Sequence, residues 1–199
     1  MNDRQLLKFY LDRGSPEAQR WNLSPESLSA ELASRSLLMK WLKPRKEMRA
    51  CNVGIGVGEW DDFLGYWLEG RGTLTSIDRD RKVAGVFAYR QRRELHPNPA
   101  KVLCRDVVSA PAPARGFDLI SVLGSTSMES NEAPAFWSAC HRLLRKGGRL
   151  FCLGFRRQQS PQRLRSLLQG LDFRVEKASV LSEKSYFVFL AKKGRTAKR

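Results

Sequence analysis

Three glycines at alternate positions, Gly54, Gly56 and Gly58, constrain the fold of this chain more than any other feature of its sequence. They follow a short strand-like stretch and precede a helix-like one. Glycine has no Cβ, so it adopts positive φ angles and allows another group to approach the backbone closely. A strand that passes through a glycine-rich turn into a helix presents backbone N–H groups to a ligand. The pattern therefore predicts a strand–turn–helix unit with a binding site at the turn.

The spacing of the glycines separates the candidate ligands. The dinucleotide fingerprint is Gly-x-Gly-x-x-Gly, and here the third glycine comes one residue early, so that Glu59 occupies its place. The phosphate-binding loop Gly-x-x-x-x-Gly-Lys-Ser/Thr does not occur in the sequence. Spacing alone also leaves open a glycine-rich turn that binds nothing.

Strand and helix patterns alternate along the rest of the chain, which favours a mostly parallel, doubly wound α/β sheet. Four polar residues, 182–185, separate the last two predicted strands, and so short a connection requires antiparallel pairing. Strands are predicted at 49–54, 74–78, 101–105, 117–123, 149–154, 173–180 and 186–191. Helices are predicted at 60–68, 82–95, 132–144 and 161–171, the third of them stopped by Lys146, Gly147 and Gly148.

A further helix is predicted before the first strand. Ser24, Pro25 and Glu26 form a typical helix start, with a side-chain cap, a proline in the first turn and an early acid. The helix ends near Pro44 and lies outside the repeating units, so it either covers a ligand cleft or docks on the sheet. The predicted organisation is an N-terminal helical extension (1–45), a binding domain (46–193) and a basic tail (194–199).

An acid, Asp78, ends the second predicted strand about 20 residues after the glycines, where ribose-binding acids stand in nucleotide-binding α/β folds. A carboxylate there accepts hydrogen bonds from both ribose hydroxyls. Aspartate is also a good helix cap, and the two roles are compatible.

The formal net charge of +16 is the extreme feature of the composition. Such a field attracts polyanions, which favours nucleic acid or another acidic partner. A basic solvated surface is the alternative, because no RNA-binding motif with interleaved aromatic residues accompanies the charge. Both interpretations remain open.

The cysteines, the histidines and the hydropathy argue against a metal-binding, disulfide-bonded, secreted or membrane-spanning protein. Cys51, Cys104, Cys140 and Cys152 lie among apolar residues without metal-ligand spacing, so they are predicted to be buried free thiols. His96 and His141 are predicted to be surface residues. No apolar run of about 18 residues and no signal-peptide pattern is found, so a cytoplasmic protein without a membrane span is expected.

The ordered motifs resemble those of the class I S-adenosylmethionine-dependent methyltransferases, over about three quarters of the chain. The first motif is residues 52–58, followed by Asp78 and by Asp106, which the resemblance places at the adenine amino group. Residues 117–121 and 143–150 match the fourth and fifth motifs, and 186–191 supply the family's antiparallel seventh strand. The chain departs from the family at Asn52, where Asp or Glu usually stands.

The resemblance implies a Rossmann-like α/β fold, namely a seven-stranded sheet that is mostly parallel, with an antiparallel last strand and helices on both faces. It implies S-adenosylmethionine as cofactor and S-adenosylhomocysteine as product. No metal site is expected, because the cysteines and histidines lack metal-ligand spacing. The cofactor-binding residues that it implies are Asn52, Gly54, Gly56, Gly58, Asp78, Arg79, Asp106, Val107 and Leu123.

The expected reaction is methyl transfer to an oxygen or nitrogen atom of a small-molecule acceptor. Because the protein is strongly basic, this acceptor could be an anion. The tetrapeptide Asn/Asp-Pro-Pro-Tyr/Phe is absent after the fourth strand, which argues against methylation of exocyclic base amines. An RNA- or peptide-directed methyltransferase remains an alternative. So does a non-catalytic Rossmann-like binding protein, because Asn52 cannot offset the charge of the cofactor's ammonium group. The sequence assigns neither a catalytic residue nor an oligomeric state.

Overall fold

The computed structural model describes residues 1–11, 24–124, 133–181 and 185–194. The helices are α1 (Asp3–Leu11), α2 (Pro25–Trp41), α3 (Glu59–Leu68), α4 (Arg81–Arg93), α5 (Ala133–Leu143) and α6 (Pro161–Gly170). The strands are β1 (Met48–Val53), β2 (Gly72–Asp78), β3 (Lys101–Cys104), β4 (Phe117–Leu123), β5 (Leu144–Phe155), β6 (Phe173–Leu181) and β7 (Tyr186–Lys193). The predicted basic tail lies outside the described residues, except for Gly194.

All seven strands form one sheet in the order β3-β2-β1-β4-β5-β7-β6. Strands β1 to β5 pair in parallel, whereas β7 runs antiparallel to both β5 and β6. This confirms the predicted α/β sheet with its antiparallel last strand. The strand order reverses between β1 and β4, where Asn52 pairs with Ser121. The glycine turn therefore opens at the switch point of the sheet, where open α/β sheets bind ligands.

A hydrophobic core covers each face of the sheet. Helices α5 and α6 pack on one face through side chains such as Trp137 and Leu164. Helices α2 and α3 pack on the other through Leu38 and Leu64. Neighbouring strand residues alternate between the two cores, as the period of a strand requires: Ile120 belongs to the first and Leu119 to the second.

The predicted start of α2 is confirmed. The Ser24 hydroxyl accepts a hydrogen bond from the Ser27 N–H at 3.1 Å, and Pro25 occupies the first turn. The helix ends at Trp41, three residues before Pro44. A hydrogen bond of 3.1 Å between the Ser27 hydroxyl and the Tyr186 hydroxyl ties α2 to β7. Helix α2 is thus docked on the sheet, which is one of the two expected outcomes.

The helix predicted to stop before residues 146–148 ends at Leu143. The predicted start of the next strand at residue 149 is wrong, because β5 begins at Leu144, directly after α5, and includes residues 146–148. Gly147 takes a φ angle of +69°, and the pairing of β4 with β5 shifts register between Phe117 and Leu119. A Cβ on Gly148 would lie 2.8 Å from the Phe117 carbonyl oxygen. The two glycines therefore allow an irregular strand start close to β4, in the manner of a β-bulge.

The predicted burial of the cysteines is confirmed for three of the four. Cys51, Cys140 and Cys152 are buried, and burial raises the pKa of the Cys152 thiol to about 12. The prediction is wrong for Cys104, which is exposed. It ends β3, which is the first strand at one edge of the sheet formed by the described residues.

The prediction that both histidines lie on the surface is wrong. His96 is 8% exposed, its ring packs against Tyr66 with centroids 4.4 Å apart, and its Nδ1 accepts the Asn98 N–H at 3.1 Å. Gly65 makes this possible, because a Cβ there would lie 2.5 Å from the His96 ring. His141 is half-buried against Phe173, and burial lowers its pKa.

Candidate functional site

A cavity of about 280 Å³ opens at the carboxyl ends of β1 to β5. Its floor is the glycine turn, and its walls come from the ends of β2, β4 and β5, the segment after β3, and helices α2 and α5. Of the residues that the sequence predicts for cofactor binding, seven line this cavity: Gly54, Gly56, Asp78, Arg79, Asp106, Val107 and Leu123. Asn52 and Gly58 lie outside its lining.

The three glycines of the turn all have positive φ angles, of +88°, +57° and +85°. A Cβ on Gly56 would meet no atom within 4 Å, because this residue faces open space. A Cβ on Gly58 would lie 2.4 Å from the ring of Phe87 in α4. The absence of a side chain at Gly56 therefore leaves space in the cavity above the turn, whereas the absence of one at Gly58 allows the turn to pack against α4.

We expect Gly58→Ala to lower the free energy of unfolding by about 2 kcal/mol or more, since the left-handed conformation alone costs about 1–2 kcal/mol for a residue with a Cβ. The clash with Phe87 adds to this cost. Urea unfolding monitored by tryptophan fluorescence measures the change. Gly85→Ala in α4 is the matched control, because its Cβ would meet nothing within 4 Å, and alanine should stabilise that helix slightly. Equal effects at the two positions would contradict the assignment.

Asp78 connects the glycine turn to the end of β2. Its Oδ2 accepts the Ile55 N–H and its Oδ1 accepts the Asp80 N–H, both at 2.8 Å. Each carboxylate oxygen accepts two hydrogen bonds, so each oxygen of Asp78, which lines the cavity, can accept one more. The alternative role of capping α4 belongs to Asp80, whose Oδ1 accepts the Lys82 N–H at 2.7 Å.

The segment after β3 forms the opposite wall. Asp106 lines the cavity, and its Oδ1 accepts the Val108 N–H at 2.7 Å. Val107 is 5% exposed and presents an apolar surface beside Phe136 of α5. An acid next to an apolar wall suits a flat heteroaromatic ring that carries an amino group.

Asn52 is buried beneath the turn and is 1% exposed. Its Nδ2 donates to the Gly54 carbonyl at 2.9 Å and to Asp61 Oδ2 at 2.8 Å, and its Oδ1 accepts the Ser121 hydroxyl at 2.8 Å. Ser121 in turn accepts the Trp60 indole N–H at 3.0 Å. Because Trp60 lines the cavity, this network fixes one wall of the site from below.

Asp61 is the carboxyl end of that network and is fully buried. Its Oδ1 is hydrogen-bonded to the Ser76 hydroxyl. Burial raises its pKa to about 8, although the hydrogen bonds from Ser76 and Asn52 oppose the shift. A buried carboxyl group that keeps its proton at neutral pH therefore lies directly under the glycine turn.

Sequence reasoning missed several residues that line the cavity. Trp60 and Arg105 could have been predicted from the sequence, because Trp60 lies just after the glycine motif and Arg105 lies next to Asp106. Ser27 and Glu31 of α2 had no sequence signal beyond the expectation that this helix could cover a cleft. Helix α2 thus both docks on the sheet and lines the cavity.

No group of three or more histidine, cysteine or acidic side chains within the described ranges could hold a metal ion. None of the helices among these residues is long and apolar enough to cross a membrane.

The model of the methyltransferase domain family matches residues 51–152, just over half of the chain. Together with the fold and the cavity, this match shows that the chain belongs to the class I S-adenosylmethionine-dependent methyltransferases. Its cofactor is S-adenosylmethionine. A search of curated protein sequences finds no significant match.

Solved structures of this fold are similar over nearly the whole chain. The magnesium protoporphyrin IX methyltransferase ChlM of Synechocystis PCC 6803, with bound S-adenosylmethionine, is 14% identical with a TM-score of 0.70, covering 98% of each chain. A methyltransferase of Aquifex aeolicus is 16% identical with a TM-score of 0.68, covering 96% of this chain and 98% of that one. The [4+2]-cyclase SpnF is 14% identical with a TM-score of 0.75, covering 96% and 93%. The fold therefore also occurs in a cyclase.

The cavity fits this cofactor. Gly56 leaves open space above the turn, Asp78 has acceptor capacity for ribose hydroxyls, and Val107 and Phe136 offer an apolar surface for adenine. The assignment of individual residues to parts of the cofactor remains a prediction.

Proposed function

We propose that this methyltransferase acts on an oxygen or nitrogen atom of a small-molecule acceptor. The observation that supports this proposal is the position of α2. Through Ser27 and Glu31 the N-terminal extension forms one wall of the cavity, and Ser27 holds the helix against β7. A cavity walled in this way favours an acceptor small enough to enter beside the helix.

The cofactor supplies an activated methyl group on a sulfonium, which is an excellent leaving group. The protein then has to hold the reactants in line and exclude water. We assign Asp78 and Asp106, which line the cavity, to the adenosine end of the cofactor. Trp60, Phe136 and Leu153 offer apolar walls. Neither histidine lines the cavity, so an acceptor that must lose a proton would need one of the carboxylates or solvent as base.

Transfer of a labelled methyl group tests the proposal. The protein is incubated with S-adenosylmethionine labelled on the methyl carbon and with a cell extract, which is then separated into small molecules, RNA and protein. We expect the label among the small molecules, and at least tenfold slower transfer by an Asp78→Ala variant at a cofactor concentration below saturation. Label confined to RNA or protein would overturn the small-molecule assignment. Cofactor binding without transfer to any fraction would favour a non-catalytic binding protein.

An RNA-directed methyltransferase is the second candidate, and the charge of the chain favours it. Arg79 and Arg105 line the cavity and are exposed, in a chain with a net charge of +16. If these charges contact phosphates, RNA affinity should fall steeply with salt, by a factor of about 10³ or more between 50 and 200 mM for six or more contacts. Fluorescence anisotropy with labelled RNA measures this slope. Weak binding at 50 mM salt would remove the second candidate.

A further inference from the structure

We propose that Glu31, in the N-terminal extension, is the acid that receives the ammonium group of S-adenosylmethionine in this chain, in place of Asn52. The inference rests on the cofactor of the family and is independent of the acceptor. It makes the extension part of the cofactor site.

Asn52 is unsuited to this contact. Both hydrogens of its amide nitrogen are used, by the Gly54 carbonyl and by Asp61, and its amide oxygen accepts the Ser121 hydroxyl. The side chain is 1% exposed and lies outside the cavity lining. It is also neutral, so it offers no charge to a cation.

Four acids among the described residues line the cavity, and they divide into two groups. Asp78 ends β2 and Asp106 follows β3, on one side of the switch point. Glu31 and Glu59 belong to α2 and α3, and α2 is tied to β7 on the other side. The first pair suits the ribose and the adenine. If the cofactor is bound in an extended conformation, its amino-acid end therefore lies near the second pair.

Glu31 is the better placed of the second pair. Its side chain is 22% exposed, whereas Glu59 is an exposed residue. Partial burial strengthens an ionic contact, because fewer waters screen it. A carboxylate of intermediate exposure in a cavity wall can still lose its remaining water to a ligand.

Arg35 holds the Glu31 carboxylate in place. Its Nη2 pairs with Glu31 Oε1 and donates to the Glu59 carbonyl oxygen at 3.3 Å. Its guanidinium also lies over the ring of Phe63, 5.4 Å from the centroid. Oε2 of Glu31 has no hydrogen-bond partner among the described residues, so one oxygen is fixed and the other is available to an ammonium group.

A pair of ligands tests the inference directly. S-adenosylmethionine carries the amino-acid end, whereas 5′-methylthioadenosine keeps the adenosine and the sulfur but lacks that end. We expect Glu31→Gln to weaken binding of S-adenosylmethionine at least tenfold in calorimetric titrations and to change the affinity for 5′-methylthioadenosine less than twofold. Glu26→Gln is the matched control, since Glu26 lies on the same helix and outside the cavity lining.

Each other outcome has a definite meaning. An unchanged affinity of Glu31→Gln for S-adenosylmethionine would overturn the inference, and so would an equal loss for both ligands, which would indicate a general effect on the docking of α2. Thermal melts of the variant show whether it remains folded, and Glu31→Asp, which keeps the charge, should retain part of the ligand preference. Failure of the unaltered protein to bind S-adenosylmethionine would instead contradict the cofactor itself.

Discussion

Replacement of Asp78 by alanine is expected to weaken binding of S-adenosylmethionine at least tenfold. Two hydrogen bonds to ribose hydroxyls would be lost, each worth about 1 kcal/mol or more, and about 1.4 kcal/mol corresponds to a factor of ten. The substitution also removes the acceptors of the Ile55 and Asp80 N–H groups, so the bond from the Gly54 N–H to the Ile77 carbonyl is left to hold the glycine turn against β2. Calorimetric titration of the purified variant gives the affinity.

Asp80→Ala is the matched control for this effect. Asp80 stands two residues away and caps α4 through the Lys82 and Val83 N–H groups, but it lies outside the cavity lining. Loss of the cap should cost about 1 kcal/mol of stability while cofactor affinity stays within a factor of two or three. An unchanged affinity of Asp78→Ala would remove Asp78 from the cofactor site.

The second large effect concerns stability against pH, and it is expected for Asp61→Asn. The Asp61 carboxyl has a pKa of about 8 in the folded protein, against an ordinary value of 3.8. The folded state therefore keeps a proton that the unfolded chain releases. As a result, the contribution of Asp61 to the free energy of unfolding falls as pH rises from about 4 to about 8 and is constant above that. Asparagine is neutral at every pH and so does not lose stability in this way. The variant should therefore be more stable than the unaltered protein at pH 9, by up to about 6 kcal/mol.

Denaturant unfolding of both proteins at pH 4.5, 6, 7.5 and 9 checks this expectation. The difference between the two curves isolates Asp61, because every other titrating group is common to both. Asparagine also preserves the hydrogen bonds, since its oxygen can accept from Asn52 and its amide can donate to the Ser76 hydroxyl. Parallel curves would show that Asp61 is ionised in the folded state. Ser76→Ala serves as the control, because it alters the same network without removing the carboxyl.

Local patterns predicted the fold well because this fold is built from local rules. The alternation of strands and helices, the short turn before β7 and the cap at Ser24 each depend on residues close together in sequence. The polar residues 182–184 of that turn lie outside the described residues, but the antiparallel pairing of β6 and β7 confirms the inference drawn from them.

The parts of the site that the sequence did not predict depend on contacts between distant segments. Glu31 reaches the cavity only because α2 docks on β7 and α3. Asp61 pairs with Asn52 and Ser76 only because a helix lies across two strands. His96 is buried because its loop folds back onto Gly65. No spacing rule within one segment contains this information.

The double attachment of α2 also couples two equilibria. Because α2 contacts both the sheet and the cavity, it can detach only by opening a wall of the site. Binding of a ligand in the cavity and local unfolding of α2 are therefore thermodynamically linked. A bound molecule raises the free energy of that opening by the same amount by which an intact extension tightens its binding. The protection of the α2 backbone N–H groups from hydrogen exchange should therefore increase with the fraction of the protein that has a ligand bound in the cavity.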